Sequence, residues 1–162
     1  MGGYAFYNFA LMKIITFFAT LLFTTCAFAD DAAAKADGAK LKGEWVMVSG
    51  KADGQEMPEQ VLKQMKRICK DGETTVMMGD RVYLKAKITM DPSQKPKTID
   101  YEMTDGFTKG QKQLGIYELD GDTFKSCFAA PGGERPKEFK SEAGDKHTLS
   151  VWKRSKEKAA AK

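Results

Sequence analysis

Two alternating runs joined by an Asp-Gly turn are the feature that most restricts how this chain can fold. They lie within Gln113–Phe128, where Asp120, Gly121 and Asp122 separate QLGIYEL from TFKSCF. An Asp-Gly step between such runs is typical of a tight β-hairpin, because these residues tolerate the positive φ angles that the turn needs. The stretch therefore predicts two antiparallel strands.

Similar runs fill most of the sequence from Gly43 to Arg154, and turn residues end nearly every one of them. They predict six further strands, over residues 43–49, 67–70, 74–78, 81–90, 97–104 and 148–154. A sheet of eight strands with short connections must bury one face, and its two edge strands must be paired or covered because unpaired edges promote aggregation. We therefore expect an all-β fold, an eight-stranded up-and-down antiparallel barrel, with a two-sheet sandwich as the alternative.

One short helix is expected after the first strand. Pro58–Lys66 reads PEQVLKQMK, and Pro58 suits a first helical position. Val61, Leu62 and Met65 fall on one face of such a helix. A helix at this place would close one end of the barrel.

The first 29 residues are expected to lie outside the barrel. Lys13 precedes an uncharged apolar run, Ile14–Thr25, and Ala27-Phe28-Ala29 then supplies the small residues that a signal peptidase reads. This pattern is typical of a secretory signal. We expect cleavage near Ala29 and export to the periplasm or to the medium.

Two other interpretations of this segment are less favoured. A transmembrane span needs about 20 apolar residues, which the run does not provide. A lipoprotein would be modified at Cys26, but Thr25 is not the small residue expected before it. Met1–Leu11 precede Met12, which would also serve as a start, so the sequence leaves open whether they are translated.

The chain is therefore divided into four parts. Residues 1–29 form the N-terminal extension and signal peptide, and residues 30–40 (DDAAAKADGAK) form a low-complexity leader that we expect to be flexible. Residues 41–154 form the barrel domain. Residues 155–162 form a charged tail.

Charge argues against a nucleic-acid partner. Lysine and arginine number 26 against 22 acidic residues, and the two signs are interspersed along the chain. Such mixing is typical of a solvated surface rather than of a nucleic-acid footprint. We expect no nucleic acid as a partner and no membrane span after cleavage, and no feature of the sequence specifies an oligomeric state.

Two cysteines, Cys69 and Cys127, remain after cleavage. An oxidising compartment permits a disulfide between them. Alternatively, both are buried thiols that behave as small apolar residues. A bridge needs Cα atoms within about 7 Å, so the sequence leaves both interpretations open.

Part of the chain resembles the lipocalins. Gly43-Glu44-Trp45 matches the G-x-W pattern that opens their first strand, and Arg154 stands at the end of the last strand. In lipocalins a basic residue at that place covers the tryptophan, so the resemblance implies a barrel-end pair of Trp45 and Arg154. The middle lipocalin motif is not convincingly present.

A closer resemblance spans the whole domain. The segments LKGEWVMVS, DPSQKPKTIDY, LGIYELDGDTFKSCFA and PGGERPKEF are similar to a family of exported lipocalin-like domains abundant in planctomycetes. Members of that family have no assigned function. The resemblance implies a barrel and export, and it brings no active site with it.

No catalytic or metal-binding pattern stands out. The titratable residues available to an enzyme are Asp100, Glu102, Glu118, Arg135 and His147, and nothing in their spacing brings them together. The cysteines lack zinc-site spacing, and the Asp-Gly-Asp turn lacks the further oxygen ligands of a calcium loop. We expect no catalytic residue, no metal and no cofactor.

The barrel interior is then the place where a function would lie. Alternation predicts eight inward side chains, Met47, Leu84, Ile88, Tyr101, Met103, Ile116, Phe124 and Phe128. They would line a site for a small apolar ligand if the barrel is hollow. The alternative is a packed structural module, with no cavity, that binds a protein partner.

Overall fold

The computed structural model describes residues 26–105 and 108–156, with side chains from Asp31 onward. The predicted apolar run of the signal peptide and most of the charged tail lie outside these residues. The elements in chain order are α1 (Cys26–Leu41), β1 (Gly43–Ala52), β2 (Gln55–Glu56), α2 (Glu59–Gln64), β3 (Met65–Lys70), β4 (Glu73–Met78), β5 (Arg81–Asp91), β6 (Lys97–Met103), β7 (Lys112–Asp120), β8 (Thr123–Phe128) and β9 (Thr148–Arg154).

Eight strands form a closed antiparallel barrel. From β3 onward each strand pairs with the next along the chain, β1 pairs with β3, and β9 returns to pair with β1. The two-residue strand β2 only extends the end of β1, with Lys51 opposite Glu56. The predicted fold class is confirmed, including the short helix after the first strand. Closure leaves no barrel strand with an unpaired edge.

The hairpin that the Asp-Gly step predicts is present. β7 and β8 pair as far as Asp120 opposite Thr123, and Gly121 adopts a φ of 52°. The β3–β4 connection differs in having positive φ at both central residues, 52° at Asp71 and 80° at Gly72. Positive φ at both central residues gives the turn a twist that matches the strands.

Large side chains fill one half of the barrel. Trp45, Ile99, Tyr117 and Phe124 are fully buried there and belong to one hydrophobic cluster. The rings of Trp45 and Phe124 lie 6.1 Å apart in a tilted arrangement. This half supplies the dense apolar packing that stabilises the domain.

The segment predicted to be a flexible leader, residues 30–40, is instead helical. It belongs to α1, which ends at Leu41, and Trp45 Nε1 donates a hydrogen bond to the Leu41 carbonyl over 2.9 Å. Its alanines have the highest intrinsic helix propensity. Contacts with the barrel then hold the helix across the filled end. The predicted cleavage site after Ala29 falls in the first turn of α1.

Asp37 fixes α1 to the barrel. Its carboxylate is 5% exposed and accepts hydrogen bonds from Lys97 at 2.7 Å, Tyr117 at 2.8 Å and Lys40 at 3.2 Å. Burial raises the pKa of Asp37, but these hydrogen bonds outweigh it and hold the pKa below its usual value. The Asp37 carboxylate is therefore ionised at near-neutral pH.

The connection between β8 and β9 covers the outer face of the barrel. Arg135 donates to both carboxylate oxygens of Asp100, at 2.5 and 3.0 Å, and to the Gly115 carbonyl at 2.6 Å. Beneath this connection Ile116 pairs with Cys127 across the β7–β8 ladder. Both are buried, yet neither belongs to the cluster inside the barrel.

The two cysteines form no disulfide. Cys69 faces the interior and donates to the Thr74 hydroxyl over 3.6 Å, whereas Cys127 faces outward and donates to the Lys140 carbonyl over 3.1 Å. The barrel wall separates the two free thiols, which agrees with the alternative of two buried thiols rather than with a disulfide. Burial raises the pKa of both, that of Cys127 to about 11.

Within the described part of the chain, no helix is both long enough and apolar enough to cross a membrane.

Candidate ligand-binding cavity

The half of the barrel opposite α1 is hollow. It holds a cavity of about 770 Å³ that opens beside α2. The size lies within the range of about 300–1,000 Å³ that is usual for small-molecule sites. Apolar side chains make up most of the wall, including Met47, Met57, Val61, Met65, Val76, Met78, Leu84, Met103, Phe128 and Trp152.

Most of the residues predicted to face inward do so. Five of the eight line the cavity, namely Met47, Leu84, Tyr101, Met103 and Phe128. Phe124 also faces inward, but it is fully buried in the filled half. Ile88 packs against the same cluster and borders a groove beneath α1.

Ile116 is the exception, because it faces outward. β7 directs Gly115 and Tyr117 into the barrel, and a Cβ at Gly115 would lie 2.5 Å from the Phe128 ring. Both faces of β7 carry apolar residues, so alternation alone does not fix its orientation. The β8–β9 connection buries the outer face and makes Ile116 as inaccessible as a core residue.

Arg67 is the residue of the site that sequence reasoning missed. Along β3 the burial alternates, so that Met65, Arg67 and Cys69 all face inward. Arg67 is only 3% exposed and borders the cavity. The sequence contains a signal for this position. Met65 and Cys69 stand two residues before and two residues after Arg67, and alternation places all three on one face of a strand.

Aromatic rings surround the guanidinium. Its central carbon lies 4.5 Å from the ring centroid of Trp152, 5.0 Å from that of Phe124 and 5.8 Å from that of Tyr101. Such cation–π contacts contribute about 0.5–2 kcal/mol each, the larger values where the cation is desolvated. They offset part of the cost of removing the charge from water.

The charge of Arg67 has no counter-charge in the described part of the chain. None of the ion pairs found there includes it. Nη1 donates a hydrogen bond to the Tyr101 hydroxyl over 2.5 Å, whereas Nε is fully buried without a partner. Burying an ion costs several kcal/mol unless a partner compensates it, so this arrangement is unusual.

Tyr101 is a second polar group at the bottom of the cavity. Burial raises the pKa of its hydroxyl to about 12, so the phenol is neutral near pH 7. Its oxygen accepts from Arg67, and its ring lies 4.1 Å from that of Phe128. A phenol that accepts through its oxygen still carries a proton to donate.

The mouth of the cavity is apolar and exposed. Val82 and Tyr83 at the start of β5 are 54% and 67% exposed, and Met78 at the end of β4 is 39% exposed. Val61 and Leu62 of α2 pack only partly against the core beside them. These exposed apolar side chains at the mouth would help an apolar molecule to leave water.

The pair of Trp45 and Arg154 lies at the opposite end. The guanidinium carbon of Arg154 is 4.2 Å from the Trp45 ring centroid. Arg154 also donates to the carbonyls of Lys42 and Lys40, at 2.9 and 2.8 Å, and to Asp122 at 2.7 Å. Neither residue borders the cavity, so the pair closes the barrel and fastens α1.

The other titratable candidates do not reach the cavity. Asp100 and Arg135 pair on the outer face, and His147 lies 3.3 Å from Asp145 in the β8–β9 connection. Glu102 and Glu118 are exposed on the outer face. Among residues 26–105 and 108–156, no group of three or more side chains is placed to hold a metal ion.

Comparison with protein-family models, with curated proteins and with solved structures found no match. The chemistry of the cavity is therefore the basis for inferring a function.

Proposed function

We propose that this protein is an exported binding protein that holds one small, largely apolar ligand inside its barrel. The observation that supports this is the open cavity of about 770 Å³. Burial of apolar surface there contributes about 25 cal/mol for each Å² removed from water. The packed module without a cavity is less favoured, because only the half beside α1 is filled.

The wall is suited to a flexible apolar ligand. Five methionines border the cavity, Met47, Met57, Met65, Met78 and Met103. Methionine side chains are unbranched and polarisable, so they adapt to ligands of different shape. We therefore expect tolerance towards the length and branching of an apolar chain.

Export and family membership are part of the same proposal. The eight-stranded barrel agrees with what the resemblance to exported lipocalin-like domains implies, and the packing of Arg154 on Trp45 agrees with what the resemblance to lipocalins implies. Cleavage after Ala29 would leave Asp30 and Asp31 at the start of α1. Acidic side chains at a helix N-terminus are favourable because of the helix dipole.

We propose no enzymatic role. None of Asp100, Glu102, Glu118, Arg135 and His147 borders the cavity. None of these five residues could therefore act as the acid or the base of a reaction inside the barrel.

The proposal is tested by obstructing the cavity. Ala52 borders its mouth, whereas Ile68 faces outward on β3 and is exposed, so Ala52→Trp and Ile68→Trp form a matched pair. The neutral dye Nile red should bind the unmodified protein saturably at one site, and Ala52→Trp should weaken this binding by about tenfold or more. Ile68→Trp should leave it unchanged. Equal binding by both variants, or no binding at all, would contradict the proposal.

A further inference from the structure

We infer that the ligand carries an anionic head, a carboxylate on an apolar chain, which pairs with Arg67 at the bottom of the cavity. This inference rests on the proposed function, since it names the chemical class of the molecule that occupies the barrel. The observation behind it is a buried guanidinium that borders the cavity and has no counter-charge.

Arg67 lies deep in the site rather than at its mouth. On β9 the cavity wall runs from Thr148 at the rim to Trp152, which packs on the guanidinium. Four residues of strand correspond to about 13 Å. A ligand would therefore enter head first, and its apolar chain would extend past the methionines towards the rim.

The polar groups at the bottom are donors. Arg67 offers N–H groups beyond the one that bonds to Tyr101, and the Tyr101 hydroxyl has a proton to donate. A carboxylate there would supply the missing counter-charge and would accept from both side chains. Arginine is well suited to this role because its planar fork matches the carboxylate geometry.

Electrostatics within the cavity favours an anion at the bottom and not at the rim. Asp105 also borders the cavity, two residues beyond the end of β6, so a carboxylate head near it would meet a like charge. Arg67, in contrast, is 3% exposed and lies against aromatic rings, so solvent screens its attraction for an anion less than it would at the surface.

The test compares two probes that differ only in the head, dodecanoate and dodecanol, by displacement of Nile red. The unmodified protein should bind dodecanoate about tenfold or more tightly than dodecanol, which is the ratio that a charged hydrogen bond gives. Arg67→Met should abolish that preference, because it should weaken dodecanoate far more than dodecanol. Lys66→Met is the matched control, because Lys66 is the exposed, outward neighbour on β3.

The outcomes separate the two proposals. Equal affinity for both probes in the unmodified protein, or an undiminished preference in Arg67→Met, would overturn the anionic head while the binding function stands. Failure of both probes and of Nile red to bind would overturn the binding function itself. If Arg67→Met does not fold, Arg67→Lys and Tyr101→Phe replace it, and each should reduce the ratio by which dodecanoate binds more tightly than dodecanol.

Discussion

Replacement of Arg67 by methionine should make the empty protein more stable. The substitution removes a charge that is 3% exposed and has no counter-charge in the described part of the chain. The variant no longer has to bury a charge, which avoids a desolvation penalty of several kcal/mol. A side chain of similar length keeps the apolar contacts with Trp152 and Phe124.

Two losses oppose this gain. The three cation–π contacts together contribute about 2 kcal/mol, about 1 kcal/mol from Trp152 at 4.5 Å and about 0.5 kcal/mol each from the more distant Phe124 and Tyr101. The Tyr101 hydroxyl loses its donor, at a cost of about 1 kcal/mol, because water in the cavity can replace that hydrogen bond. The difference predicts a rise of about 1–3 kcal/mol in the free energy of unfolding, in the range seen when buried ions are replaced by apolar residues.

Equilibrium unfolding in urea measures this change, provided that the slope with denaturant stays constant. Lys66→Met, on the outer face of the same strand, should stay within about 0.5 kcal/mol of the unmodified protein. A loss of more than about 2 kcal/mol in Arg67→Met would refute the reasoning, because Arg67 would then be a compensated structural residue.

Three further predictions concern other parts of the barrel. Gly115→Ala should push the Phe128 ring into the cavity. Urea titration should show a stability lower by about 1–3 kcal/mol, and dye titration should show weaker binding of Nile red. Undiminished dye binding would contradict the close approach of Phe128 to Gly115. Asp37→Asn should cost about 1–2 kcal/mol at pH 7 in urea unfolding, because the half-exposed ammonium group of Lys97 and the exposed one of Lys40 lose their carboxylate partner. The pKa of Asp37 is lowered in the folded state, so its contribution is present above its unfolded pKa and is lost as pH falls through the folded value. As the pH falls below the folded pKa of Asp37, the variant and the unmodified protein should therefore converge in stability, and a gap that persists there would refute the role of the charge. Cys69 and Cys127 should react with a maleimide only after denaturation, and a disulfide found by mass spectrometry in the oxidised protein would contradict their separation by the barrel wall.

Strand order and barrel closure could be predicted from the sequence because they depend on local signals. The hairpin turns carry Asp-Gly steps, and β6 places Ile99, Tyr101 and Met103 inward by simple alternation. Such patterns require no knowledge of distant contacts. Most of the side chains that line the cavity on these strands could therefore be predicted from alternation.

The features that sequence reasoning missed depend on distant contacts. Ile116 was expected inside, but the β8–β9 connection covers it from outside the barrel. Residues 30–40 were expected to be flexible, yet Asp37 finds partners sixty and more residues away. Arg67 was passed over because a charge is normally placed on the outer face. Its inward position follows from β3 alternation only once β3 is known to belong to a barrel.

The division of the barrel into a filled and a hollow half has an evolutionary consequence. The half beside α1 carries most of the fully buried bulk, including Trp45, Tyr117 and Phe124. Substitutions there create voids or strain and are costly. Around the open half a changed side chain meets solvent or ligand instead of a tightly packed neighbour. New ligand preferences can therefore arise at one end of this molecule while the other end preserves its architecture.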